Sequence, residues 1–162
     1  MDSVGAHERD LRQPDGSRLG CPRLRGTRVE GPLGALVLSV LDTSVLIADR
    51  PSPIEGDIGI SVVSIAELQF GVLVATNDES RARRLARLSA ILRAFDPLPV
   101  DPLVAASYGQ LAAATARAGR KASARSLDLM IAATAMAHGA RLVTANPDDV
   151  RHLVDLVEIV AA

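Results

Sequence analysis

Apolar and polar residues follow one another in blocks from residue 36 onward, and the blocks predict strands and helices in turn. Short runs of β-branched and aliphatic residues indicate buried strands, whereas apolar residues three or four positions apart indicate amphipathic helices. The predicted strands cover residues 37–41, 58–63, 97–100, 141–144 and 156–160. Helices are predicted at 45–49, from Ser64 onward, at 79–95, from Pro102 onward, at 126–138 and at 147–153.

The alternation of strands and helices predicts an α/β fold with a mainly parallel central sheet that is flanked by helices. This pattern covers residues 37–162 and is long enough for one domain. Residues 1–36 differ, because they hold six of the twelve glycines and show no sustained periodicity. We therefore expect residues 1–36 to form a flexible N-terminal arm that precedes the domain.

Composition excludes several classes of protein. A formal charge of −1 excludes a histone-like protein that wraps nucleic acid and a polybasic protein that binds membranes. The lone Cys21 excludes a fold that is held together by disulfide bonds. No apolar run is long enough to span a bilayer and no leader segment is visible, which predicts a cytoplasmic protein without a membrane partner. Aromatic residues make up only 2% of the chain, so any contact with nucleic acid must rely on the backbone rather than on stacking.

Candidate chemistry is concentrated in acidic residues that follow the predicted strands. Asp42 directly follows the first strand, and Glu67 is expected in the first turn of the helix after the second. Asp128 opens the helix at 126–138, and Asp148 and Asp149 follow the strand at 141–144. Because ligands bind at the carboxyl ends of parallel strands, these acids are expected to meet at one edge of the sheet. Clustered carboxylates need a compensating cation, and oxygen ligands favour Mg²⁺ or Mn²⁺.

Each of these acids except Asp42 also has a purely structural interpretation. Glu67 lies three residues after Ser64, which is the spacing of a capping box. Asp128, Asp148 and Asp149 would complement helix dipoles from a first turn, and Asp101 before Pro102 is typical of an N-cap. Asp42 is the hardest to explain structurally, since apolar residues surround it on both sides.

Three segments of the chain together resemble the PIN-domain ribonucleases, and most closely the VapC toxins of bacterial toxin–antitoxin pairs. The segments are LDTSVLIA, SVVSIAEL and SLDLMIAATAMAHGARLVTANPDD, in this order, and the resemblance covers about 37–162. It implies that the metal-binding acids are Asp42, Glu67, Asp128 and Asp149. It also implies that Thr43, Ser44 and Asn146 help to order the site. Val150 stands where the family often has Phe, which leaves Asp148 as an alternative to Asp149.

The resemblance further implies a three-layer α/β/α fold and an Mg²⁺-dependent endoribonuclease, with Mn²⁺ as a possible substitute. One or two ions would activate water for attack on an RNA phosphodiester, so that no protein nucleophile is required. His138 at a helix end is more typical of a structural residue than of a catalyst. The implied partners are RNA, a cognate antitoxin and a second copy of the chain in a homodimer.

Basic residues must compensate for an acidic site that repels RNA. Arg120, Lys121 and Arg125 precede Asp128 and are candidates for holding RNA phosphates, although solvated loop charges would give the same pattern. A second group is more typical of an ordinary solvent-facing helix surface: Arg81, Arg83, Arg84 and Arg87.

Three alternatives remain open at this point. A catalytically inactive PIN-like module that binds protein would use the acids only to cap helices. A haloacid-dehalogenase-type phosphatase needs a second Asp two residues after the first, where this chain has Ser44. A receiver domain needs a late buried lysine, whereas the only lysine, Lys121, does not end a predicted strand.

Overall fold

The structure, a computed structural model, describes residues 37–48 and 53–162. The predicted arm at 1–36 lies outside the described residues, as does the end of the helix predicted at 45–49. Within the described residues, no helix is both long and apolar enough to cross a lipid bilayer.

Four parallel strands form the central sheet, in the order β2-β1-β3-β4. Their bounds are β1 Leu38–Leu41, β2 Asp57–Ile60, β3 Arg141–Thr144 and β4 Ile159–Ala161. Helices connect the strands and flank the sheet, so the predicted parallel α/β architecture is confirmed. Since all four strands run in one direction, their carboxyl ends lie along one edge, where Leu41 leads into Asp42 and Thr144 leads into Ala145.

The strand predicted at 97–100 is wrong. Leu98 forms only an isolated parallel bridge with Ser61, through hydrogen bonds to the backbone of Ile60 and Val62. Pro97 and Pro99 flank Leu98 and carry no N–H group, so the segment cannot extend the ladder in either direction.

Six α-helices and two short 3₁₀ turns complete the described fold. The helices are α1 Thr43–Ile47, α2 Val62–Leu73, α3 Asp78–Ala94, α4 Pro102–Arg117, α5 Ser126–Ala137 and α6 Pro147–Val150. The 3₁₀ turns are Ala122–Arg125 and Arg151–Leu153. As predicted, the side chain of Asp101 caps α4, where its Oδ1 accepts a hydrogen bond from the backbone of Val104 at 2.9 Å.

Helix α2 begins earlier than the sequence predicts, and Ser61 rather than Ser64 is its N-cap. The Ser61 hydroxyl accepts the backbone N–H of Val63 at 3.2 Å and also lies 3.1 Å from the Thr134 hydroxyl. This shift rules out the capping-box interpretation of Glu67, because Glu67 now lies in the second turn of α2 and is remote from the cap.

Helix α5 is the centre of the main core. Its residues Leu129 and Ile131–Ala135 are buried, between the sheet residues Val40 and Leu142 on one side and Leu111 of α4 on the other. The small side chains of the Ala-rich segment allow neighbouring elements to approach α5 closely. Asp128 in the first turn of α5 is thereby placed on a rigid element.

Helix α3 packs on α2 through a smaller cluster in which Leu88 contacts Leu68 and Val72. The apolar spacing of this helix predicts one buried stripe that includes Leu85, Leu88 and Leu92. This is only partly correct, since Leu85 and Leu92 are about half exposed. The reason is that α3 packs chiefly on α2, through a narrow buried stripe centred on Leu88.

Candidate active site

Asp42 is held at the edge of the sheet by hydroxyl groups from two elements. Its Oδ2 accepts hydrogen bonds from Ser44 of α1 at 2.5 Å and from Thr144 at the end of β3 at 2.8 Å. Ser44 in turn accepts the backbone N–H of Ala145 at 3.1 Å. Asp42 occupies the N-cap position of α1, but its side chain makes no capping hydrogen bond. The carboxylate is therefore positioned by the site and not by helix capping.

A small cavity of about 50 Å³ brings together side chains from remote segments. Its polar lining residues are Asp42, Asp128, Asn146 and Asp149. Asp148 does not line this cavity, because its carboxylate faces solvent and pairs with Arg151. The structure thus distinguishes the two adjacent aspartates and favours Asp149 as the site residue.

Glu67 lies beside this cavity, in a position that Thr43 controls. The Thr43 hydroxyl donates a hydrogen bond to Glu67 Oε2 at 2.5 Å, which links the first residue of α1 to the second turn of α2. Thr43 and Glu67 both line a second, larger cavity of about 550 Å³. Glu67 is therefore a boundary residue between the small acidic cavity and its larger neighbour.

Electrostatic coupling shows that the acids share one environment. Burial raises the pKa of Glu67, a hydrogen bond from Thr43 lowers it, and the charges of Asp128 and Asp42 raise it further. Burial and the charge of Asp42 likewise raise the pKa of Asp128. Mutual repulsion between carboxylates is the physical signal that a cation would be stabilised among them.

Arg125 occupies part of this acidic environment. Its guanidinium lies 2.7 Å from Asp149 Oδ2 and 3.8 Å from Asp128 Oδ2. The hydrogen bond from Arg125 holds the pKa of Asp149 below its usual range. Arg120 donates to the backbone carbonyl of Asp149 at 3.1 Å, whereas Lys121 is exposed. Of the three predicted phosphate candidates, Arg125 and Arg120 thus contact the Asp149 segment.

The donor chemistry fits a hard divalent cation, since the carboxylates repel one another and oxygen ligands are what such an ion prefers. Among the described residues, no three His, Cys, Asp or Glu side chains already lie close enough to enclose one ion. Thr43 holds Glu67 and Arg125 holds Asp149. Asp42 is bound by two hydroxyl groups, so three of the four acids accept hydrogen bonds from neighbouring side chains. The predicted four-acid cage remains a prediction.

The larger cavity contains residues whose role the sequence analysis missed. Arg83 and Arg84 of α3 are exposed, as the sequence predicts, and Arg87 is partly exposed, but all three also line this cavity. A signal was available in the spacing, because Arg84 precedes the buried Leu88 by four residues and therefore shares its face. Arg81 is likewise exposed, but it lies outside the cavity and pairs with Asp78.

Comparison with known proteins identifies the family. The PIN domain matches residues 39–154, which is more than half of the chain. This chain belongs to the PIN domain family. Ribonuclease VapC8 of Mycobacterium tuberculosis is 38% identical over 110 residues, which cover 65% of this chain and 95% of that protein. Ribonuclease VapC4 of the same organism is 34% identical over 116 residues, which cover 68% and 87% respectively.

Solved structures agree with this assignment. VapBC-5 from Mycobacterium tuberculosis, a member of the VapBC family of toxin–antitoxin systems, aligns with a TM-score of 0.64 and 34% identity over 77% of this chain and 97% of that chain. FitAcB from Neisseria gonorrhoeae aligns with a TM-score of 0.60 and 29% identity over 75% and 95% respectively. PIN-domain ribonucleases of the VapC type generally depend on a divalent metal ion.

Proposed function

We propose that this chain is an Mg²⁺-dependent endoribonuclease that hydrolyses RNA phosphodiester bonds as the toxin of a toxin–antitoxin pair. One observation carries the proposal. Asp42, Asp128 and Asp149 come from three remote segments of a PIN-domain chain and line one cavity at the carboxyl edge of its sheet. The relatives named ribonucleases align with this chain over most of their own length, which supports RNA hydrolysis as the reaction.

Asp42, Asp128 and Asp149 would hold the metal ion, with Glu67 at the boundary of the cavity. When bound, a divalent cation lowers the pKa of water and offsets the charge that develops on the phosphate. The hydroxyls of Ser44 and Thr144 both bind Oδ2 of Asp42, so they fix the orientation of this carboxylate before any ligand arrives. Such prepositioning matters because outer hydrogen bonds orient the groups that bind metal.

Neither of the two histidines in the described part of the chain is in position to replace the metal. His138 is an exposed residue at the end of α5, and neither His138 nor His152 lines either cavity. Burial lowers the pKa of His152, whose Nε2 lies 2.9 Å from the Thr115 hydroxyl. A metal-independent ribonuclease would need acid–base side chains beside the phosphate. The acidic cavity offers carboxylates instead, which agrees with metal-assisted hydrolysis.

The proposal includes partners and location. VapBC-5 is described as a member of a family of toxin–antitoxin systems, and we propose an antitoxin protein as the partner of this chain as well. A homodimer and a cytoplasmic location complete the proposal. Arg120, Lys121 and Arg125 are proposed to hold RNA phosphates next to the acidic cavity, which requires Arg125 to exchange its carboxylate partner for a phosphate.

The test compares RNA cleavage by the unmodified chain with cleavage by Asp42→Asn and Asp128→Asn. Each substitution removes a ligand charge, and we expect a loss larger than the ~10–100-fold effect of removing an outer hydrogen-bonding partner. EDTA should stop the unmodified chain, and Mg²⁺ or Mn²⁺ should restore it. Asp155→Asn, an exposed carboxylate outside the cavity, is the matched control and should cleave normally. Sequencing of the RNA ends then identifies the cleavage site.

Cleavage by either site variant at the unmodified rate and with the same Mg²⁺ dependence would contradict the proposal. One observation favours the inactive binding module as a second candidate, namely that Arg125 already neutralises Asp149. That candidate predicts no heat of Mn²⁺ binding by calorimetry and no stabilisation of the fold by metal.

A further inference from the structure

The larger cavity, of about 550 Å³, is separate from the acidic cavity and is built by three helices. Helix α3 contributes Arg83, Arg84 and Arg87, and α2 contributes the apolar residue Leu68 next to Glu67. Its volume falls within the range of about 300–1,000 Å³ that is typical of ligand sites. An arginine-lined cavity with an apolar component is suited to an anion that also carries an apolar part.

Among the described residues, Arg83 and Arg84 of this cavity carry charge that no carboxylate neutralises. Arg84 donates to the backbone carbonyl of Gly71, and Arg83 donates to the hydroxyl of Ser80 at 3.5 Å. Within the described residues, neither guanidinium is paired with a carboxylate. A guanidinium has about five N–H donors, so one bond to a neutral oxygen anchors it and leaves donors for an anionic ligand.

A hydrogen bond lies at the boundary between the two cavities. Thr43 directly follows Asp42 of the acidic cavity, and its hydroxyl binds Glu67, which lines the larger one. The charges of Asp128 and Asp42 act on Glu67 across this boundary. A chain-like ligand with one phosphate at Asp42 would therefore extend past Thr43 into the arginine-lined cavity.

We propose that Arg83 and Arg84 form a second RNA-binding subsite, which takes a backbone phosphate adjacent to the one at the acidic cavity. This inference rests on the proposed ribonuclease function, since RNA is its ligand. A guanidinium can donate two parallel hydrogen bonds to a phosphate. Ile47 of α1 also lines the cavity and is exposed, so it offers an apolar surface to a ribose or base. The subsite supplies the positive charge that an acidic cavity needs in order to hold a polyanion.

RNA fits the cavity better than an acidic peptide does. Phosphates repeat at regular intervals along the backbone, so one strand can engage the acidic cavity and the arginines together. A peptide carboxylate next to Glu67 would gain no such continuity with the acidic cavity. The few aromatic residues of the chain also favour recognition through phosphates over base stacking.

The test measures binding of a fluorescent single-stranded RNA by anisotropy over a range of salt concentrations. All chains carry Asp42→Asn, so that the RNA stays intact during the measurement. The test pair is Arg83→Gln with Arg84→Gln. The control pair, Arg81→Gln with Arg93→Gln, removes the same charge from the same helix outside the cavity.

We expect the test pair to weaken RNA binding by about tenfold. It should also reduce the slope of log affinity against log salt by about 0.7, because the subsite holds one phosphate and each phosphate contact on a single strand contributes about 0.7. The control pair should remain within about twofold of the parent. Arg83→Gln alone should give about half the change in slope. Within the fold, this variant loses only the long hydrogen bond from Arg83 to Ser80 on the same helix. Thermal unfolding checks that each variant is folded.

Equal changes in the two pairs would overturn the subsite, because they would reflect overall charge. Unchanged RNA binding by the test pair would also overturn it, even if binding of the antitoxin fell, since the cavity would then be a protein-binding site. Cleavage by the unmodified chain with Mg²⁺ is measured separately. If the unmodified chain does not cleave RNA but the test pair shows the expected decrease in the salt dependence of binding, the proposed catalysis is rejected and the RNA subsite is retained.

Discussion

Arg125 is a cation that the chain itself supplies to its acidic cavity. Its guanidinium is 2.7 Å from Asp149 Oδ2, and it also lies close to Asp128. A divalent ion that binds the same carboxylates must compete with this ion pair and is repelled by the guanidinium charge. The residue therefore stabilises the metal-free site at the expense of metal affinity.

We predict that Arg125→Gln increases the affinity for Mn²⁺ several-fold, because Asp149 is released for the ion. Isothermal calorimetry on the unmodified chain and the variant measures the difference without any catalytic readout. Arg117→Gln, an exposed arginine at the end of α4, is the control and should leave the affinity unchanged. Weaker Mn²⁺ binding by Arg125→Gln would show instead that Arg125 orients Asp149 as a ligand.

Asp128 makes the metal-free fold depend on pH. Burial and the charge of Asp42 raise its pKa, so the folded chain binds this proton more tightly than the unfolded chain does. Stability is consequently lost as pH rises from the ordinary pKa of 3.8 through the raised one, and it stays lower at neutral pH. The charged carboxylate therefore opposes folding wherever the protein works.

We predict that Asp128→Asn raises the melting temperature of the metal-free protein at pH 7 by ~2–4 °C, which corresponds to at most about 1 kcal/mol for a half-exposed group. The gain should vanish below about pH 3.8, where both states are protonated. Melting curves over this pH range, with Asp155→Asn as the control, measure the effect. A variant that is less stable than the parent at pH 7 would exclude this interpretation.

At the scale of one element, two buried serines at the start of α2 distinguish the effect of hydrogen bonding on stability from the effect of burial. Ser61 and Ser64 are both fully buried, but Ser61 binds Val63 and Thr134 while the Ser64 hydroxyl has no hydrogen-bond partner. A buried hydroxyl stabilises only when it is bonded. The helix is therefore capped by the first of two chemically identical residues.

We predict that Ser61→Ala destabilises the fold by about 1–2 kcal/mol, because a cap and a buried partner are lost. Ser64→Ala should be neutral or stabilising within about 0.5 kcal/mol, because alanine removes an unpaired hydroxyl and favours the helix. Chemical denaturation of both variants gives the two free energies of unfolding. An equal decrease in the free energy of unfolding for Ser61→Ala and Ser64→Ala would mean that burial, and not hydrogen bonding, determines the effect of each substitution.

The same pair shows how much of the structure could be predicted from the sequence. The strand at 141–144 and the position of Asp42 followed from local apolar runs, which act over a few residues. The start of α2 did not, because Ser61 and Ser64 both suit an N-cap and only the contact with Thr134 of α5 distinguishes them. The buried face of α3 was predicted only in part, because tertiary packing against α2 determines which of its leucines are covered.

At the scale of the whole molecule, the carboxylates at the edge of the sheet repel one another within an otherwise well-packed domain. Asp42 and Asp128 repel each other across the end of β1, while the core around α5 supplies the stability that tolerates this repulsion. Ligands that bind only the folded state stabilise it by mass action. A divalent ion at this edge should therefore stabilise the whole fold, and the gain should depend on the acids that hold it.

We predict that Mg²⁺ or Mn²⁺ at about 100 times its dissociation constant stabilises the described domain by about 2.7 kcal/mol. In a domain of this size, that is a rise of ~5–11 °C in melting temperature. Asp42→Asn should abolish most of this rise, since it removes a ligand from the shared cavity, whereas Asp155→Asn should retain it. Melting curves with and without metal test both statements. A rise that survives in Asp42→Asn would place the ion elsewhere on the protein and separate metal binding from the acidic cavity.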